Sequence, residues 1–118
     1  IRLSGRLAGV GRNFAVVQRP GGHPVLFRAG AVEGLVPAGA PASAAAGGRR
    51  APALDLSLAD ALDAMAAERL PVSVRTAAET WSGTVVAHGE DYLTLRSEGA
   101  DRRVIHVADA AVVAVELR

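Results

Sequence analysis

The feature that most constrains this chain is an internal repeat. GRLAGVGRNFAVVQ (5–18) and GTVVAHGEDYLTLR (83–96) align without a gap, so that Gly5 falls opposite Gly83, Gly11 opposite Gly89 and Phe14 opposite Tyr92. After a hairpin one residue longer in the second copy, VLFRAGAVEGLV (25–36) meets VIHVADAAVVAV (104–115), matching Val25 with Val104, Ala29 with Ala108 and Val36 with Val115. A chain of 118 residues that repeats itself holds two very small units rather than one larger fold.

The second unit is the fuller one. Ser57 is placed to cap a helix, with Asp60 three residues on and Leu56 positioned for a hydrophobic staple. Leu58, Ala61, Leu62, Met65 and Ala66 recur at helical spacing, and Pro71 ends the run. Beyond it the period falls to two. Strands are expected over 72–75, 81–87, 92–96, 104–107 and 112–117, joined by short turns that include Gly89-Glu90-Asp91. Five short strands so connected form an antiparallel meander, which buries one apolar face most cheaply by curling into a small barrel with the helix over an open end. The first unit lacks the counterpart of this helix and of the first strand, so it is expected to be N-terminally incomplete and to recruit a strand from elsewhere. Between the units runs PAGAPASAAAGGRRAPA (37–53), which has no large apolar side chain to offset its ordering entropy. The expected organisation is a first copy over 1–36, a linker over 37–56 and a second copy over 57–118.

The net charge of +1 conceals two opposite halves. Residues 1–36 carry five Arg against Glu33, and residues 57–118 carry six Arg against ten acids. A polyanion would meet the first half, and the opposed signs would equally steer two copies together. No run reaches the length of a membrane span and no signal peptide is present, so the expectation is a cytoplasmic protein.

The order of the helix, LPVSVRT, WSGTVVAHGEDYLTL and VIHVADAAVVAV resembles the Sm-like family of small β-barrels. That resemblance implies a helix on a strongly bent five-stranded barrel, ring assembly by strand pairing, and binding of uridine- or adenine-rich RNA. Gly83 matches the glycine at which the family's second strand bends, and Gly5 repeats it. The family's RNA-site positions mostly do not carry over. Its usual Asp and Asn are Gly89 and Leu93 here, or Gly11 and Ala15 in the first copy. Its Arg-Gly before the last strand survives only as Arg28-Ala29. Arg28, with Arg12 on the same basic copy, is therefore the RNA contact that the resemblance leaves. The PRC-barrel family gives a similar pattern and implies a protein-docking adaptor.

Catalytic chemistry is thin. Without cysteine there is no thiolate nucleophile, thiolate zinc site or disulfide, and with no lysine there is no Schiff base. His23, His88 and His106 are too scattered for a zinc pair, and His88 beside Glu90 and Asp91 reads as a solvated turn. Gly9-Val10-Gly11 runs into a strand, whereas a dinucleotide loop enters a helix. Ser82 lies inside a strand without the G-x-S-x-G frame, and Trp81 reads as a packing residue. The expected function is a non-catalytic binding and assembly module that oligomerises through barrel edge strands, or pairs its two copies as a pseudo-dimer, with no cofactor, no metal and no membrane. Gly5, Gly11, Gly83 and Gly89 are its expected bend and turn residues. The competing expectations are RNA binding through the basic first copy and protein docking of the PRC-barrel kind.

Overall fold

A computed structural model describes residues 3–32 and 53–118 of the chain. Helix α1 (Leu58–Glu68) begins at a reciprocal capping box: Ser57 Oγ accepts the Asp60 N–H at 3.2 Å, and the Asp60 carboxylate accepts the Ser57 N–H at 2.9 Å. The Ser57 backbone N–H, with the Ser57 hydroxyl second to it, holds the Asp60 carboxyl below its ordinary pKa. At the other end Arg69 turns into the left-handed region (φ 52°) and returns its N–H to Ala66. Leu58, Leu62 and Met65 share the buried face.

Among the described residues eight strands follow the two-residue alternation: β1 (Arg6–Val10), β2 (Phe14–Gln18), β3 (Pro24–Arg28), β4 (Pro71–Arg75), β5 (Thr80–His88), β6 (Tyr92–Ser97), β7 (Val104–Ala108) and β8 (Ala114–Leu117). Short 3-10 turns, Ala29–Ala31 and Asp109–Ala111, follow β3 and β7. All strands belong to one antiparallel sheet ordered β1-β2-β3-β8-β4-β5-β6-β7. The chain is thus mainly β, with one α-helix among the described residues, and the sheet is open. The sequence predicts an antiparallel meander curled into a small barrel, whereas β8 pairs with β4 and not with β7, its neighbour in the chain. Closure fails because β8 has no free side: β4 pairs with one edge of it, and β3 of the first copy takes the other through Val25↔Glu116, Leu26↔Val115 and Phe27↔Ala114.

The two copies are built alike in detail. β1 and β5 carry the same bulge, between Leu7 and Gly9 and between Val85 and Ala87. A Cβ on Gly5 would lie 2.5 Å from the Gln18 carbonyl oxygen, and one on Gly83 would lie 2.5 Å from the Arg96 carbonyl oxygen. Both glycines therefore let two strands approach where no side chain fits. The pairing also corrects the sequence alignment. Phe14↔Arg28 and Tyr92↔Ala108 are equivalent pairs, which sets Val25 against Ile105 and Ala29 against Asp109. The second hairpin is longer by two residues, not one. In a chain rich in Val and Ala, matching Val25 to Val104 gains an identity and loses the ladder.

One core serves both copies. Leu58, Leu62 and Met65 of α1 meet Val72, Val74, Val85, Leu93, Leu95, Val107, Val112 and Val115, and Phe14 and Leu26 join from the first copy. Of the expected linker, residues 37–52 lie outside the described residues. Its end packs on the first copy, where Leu54 donates its N–H to the Val10 carbonyl at 2.8 Å and Arg12 donates its N–H to the Leu56 carbonyl at 2.9 Å. Among the described residues no helix is long and apolar enough to cross a membrane.

The repeated glycines are separable by substitution. Gly83→Ala forces a methyl group against the Arg96 carbonyl and is expected to cost about 1–3 kcal/mol. Gly89→Ala meets nothing within 4 Å and is expected to stay within about 0.5 kcal/mol of the parent. Urea unfolding of both variants checks this, and equal losses would contradict it.

Candidate functional site

The most concentrated chemistry lies where β5 ends. His88 is the last residue of β5, and its side chain is only 4% exposed. Its partners are not the neighbouring Glu90 and Asp91. Asp63 Oδ1 of α1 lies 2.5 Å from Nδ1, and Asp109 Oδ2 of the turn after β7 lies 2.6 Å from Nε2. The turn is seated by the Asp109 N–H donating to the Asp91 carbonyl at 2.9 Å. One imidazole thus ties together the helix, the long strand and the turn that leads to β8.

Burial pulls the His88 pKa down and is the largest single effect. The hydrogen bonds to Asp63 and Asp109, together with their charges, outweigh it, so the net displacement is upward from 6.5. The chemistry gives the same sign. A neutral ring donates from one nitrogen only and would turn the other lone pair toward a carboxylate. Asp109 Oδ1 is also buried without a hydrogen-bond partner, so that carboxylate relies on the imidazolium at its other oxygen. With both ring nitrogens engaged and the two carboxylates on opposite sides of the ring, the cluster does not converge on a point where a cation or a substrate proton would sit. Its chemistry is that of a buried charged tie.

The tie connects to Arg28. The half-buried Arg28 side chain donates Nε to the Val112 carbonyl at 2.9 Å and Nη2 to the Asp109 carbonyl at 2.7 Å, and the Arg28 N–H reaches the Val113 carbonyl at 2.9 Å. The arginine carried over as an RNA contact is placed on the connection between β7 and β8, at the seam between the copies. Arg12 lies elsewhere, paired with Asp55 at 2.7 Å with both side chains largely exposed. Of the four singled-out glycines, Gly5 and Gly83 sit at close strand approaches, Gly11 lies under the Phe14 ring, and Gly89 has open space around it.

Sequence reasoning missed Asp63 and Asp109 because they reach His88 from distant segments. A signal existed: in the corrected register His88 and Asp109 stand where the first copy has Val10 and Ala29, a paired exchange of apolar for ionisable residues. A second feature is an open cleft of about 670 Å³, lined by Val17, Phe27, Val113 and Ala114 and by residues of the β4–β5 turn. No known protein family, curated protein or solved structure matches the chain.

Because the folded-state pKa of His88 is raised, its stabilisation is fully present below about 6.5 and is lost as pH rises through the folded-state value. An NMR titration should show the His88 ring titrating above about 6.5, and Asp109→Asn should bring it down. A ring that titrates at or below about 6.5 in the parent protein would contradict the tie.

Proposed function

We propose that the chain is a non-catalytic assembly module of the Sm-like kind, acting through the edges of its sheet. The observation that carries this reading is the β3–β8 ladder, in which one copy of the repeat is joined to the other edge to edge. The sheet built this way ends on two further edge strands, β1 and β7, and edge strands are templates for another chain. The close strand approach at Gly83 and the helix preceding the second copy's strands agree with the Sm-like resemblance.

The RNA-binding alternative calls for Arg12 and Arg28 to reach phosphates. Arg28 instead commits two of its nitrogens to carbonyl oxygens, and Arg12 pairs at the surface with Asp55. These contacts favour assembly over RNA. The ionisable cluster around His88 is closed on itself, which favours a scaffold over a catalyst.

Light scattering over a broad concentration series tests the reading. A mass that rises to a defined oligomer as concentration increases is expected. A monomer throughout would overturn the assembly reading, and salt-sensitive binding of oligo-uridine or oligo-adenine by that monomer would move the assignment to the RNA alternative.

A further inference from the structure

Resting on the assembly reading above, the geometry points to β7 as the pairing edge and to a second copy of this chain as its partner, joined antiparallel about a two-fold axis at His106. The two terminal strands of the sheet are not equivalent. β1 is interrupted by its bulge, and its Val10 carbonyl is already taken by Leu54. Interruption and cover are the devices that keep an edge from pairing. β7 is regular from Val104 to Ala108, and among the described residues nothing pairs with its outer side.

The outward backbone groups follow from the ladder. Asp109 donates its N–H to the Asp91 carbonyl and Ser97 donates to the Arg103 carbonyl, which places the hydrogen-bonded pairs at Leu93↔Val107 and Leu95↔Ile105. Val104, His106 and Ala108 therefore turn their N–H and C=O groups outward. An edge that pairs with its own copy does so about a two-fold axis. Centring on His106 sets His106 against the partner's His106 and Val104 against the partner's Ala108, and every outward group finds a mate. Centring on Ile105 strands Ala108, and centring on Val107 strands Val104.

The side chains agree with that register. Val104 and Tyr92 are 53% and 54% exposed. Tyr92 stands beside Ala108 in the ladder, and pairing brings the partner's Val104 to the far side of this small residue, within reach of the ring. His106 is already held in place, edge-on to Tyr92 with ring centroids 6.5 Å apart and with Nδ1 3.0 Å from Thr94 Oγ1. β7 carries no arginine or carboxylate to oppose its copy. In the first copy the equivalent positions are Phe14 and Leu26, and there they are buried in the core shared with α1.

The chain has no cysteine, so a single introduced thiol reports cleanly. Hydrogen-bonded antiparallel partners lie about 5.5 Å apart at Cα, within disulfide range. Under oxidising conditions His106→Cys should run mostly as a covalent dimer on a non-reducing gel, whereas Leu7→Cys on β1 should not cross-link. His106→Pro removes the outward N–H without touching the ladder to β6 and should weaken the dimer at least about tenfold with an unchanged circular dichroism spectrum. If the proline variant fails to fold, the two cysteine variants decide. Association by light scattering without a cross-link in His106→Cys, or with a cross-link through Leu7→Cys, overturns this pairing and leaves edge assembly standing. A monomer at every concentration overturns both.

Discussion

Every strand carries a row of backbone hydrogen-bonding groups on each side, and this structure follows from how β8 satisfies both of its rows. One side is taken by β4, the first strand of the second copy, and not by β7, the chain neighbour with which a meander would pair it. The other is taken by β3 of the first copy. A single choice of partner converts a would-be small barrel into an open eight-stranded sheet, draws Phe14 and Leu26 into the core under α1, and makes β1 and β7 its terminal strands among the described residues. The first copy brings no helix of its own among the described residues. Its apolar side chains are covered because the ladder delivers them to the helix of the second.

The ionisable groups reinforce the same seam. His88 holds the turn after β7 through the Asp109 carboxylate, and Arg28 holds the same turn through the Asp109 and Val112 carbonyls. Two side chains, one from each copy, thus grip a turn of three residues whose direction decides where β8 begins. Their grips differ in kind. Arg28 stays charged at any ordinary pH, whereas the His88 contact with two carboxylates depends on the imidazolium, so the helix side of the turn is the side that responds to pH.

Much of the secondary structure was legible because it rests on local chemistry. The Ser57–Asp60 box, the switch of period at Pro71, and the glycine spacing announce α1, the later strands and the repeat without reference to distant contacts. The rest depends on contacts between segments far apart in the sequence. Nothing near β8 states that its second partner is β3, since a barrel and an open sheet use the same alternation along each strand. Sequence identity places the hairpin register one residue off because Val and Ala identities are plentiful here, while the ladder that sets Val25 against Ile105 leaves no mark in composition. Arg28 was picked out for its place in a motif, and its role was visible only when Val112 and Asp109 came to lie beside it. His88 was set beside Glu90 and Asp91 by sequence proximity, whereas the side chain turns toward α1 and the turn after β7.

The central claim is that the two copies form one sheet through β3 and β8. Native-state amide hydrogen exchange, read residue by residue, tests it most directly. The account predicts that the Arg28 amide, which donates to Val113, and the neighbouring β3 amides exchange with the slow, cooperative protection of β4 and β8. Rapid exchange across β1–β3 alongside full protection of β4–β8 would contradict it.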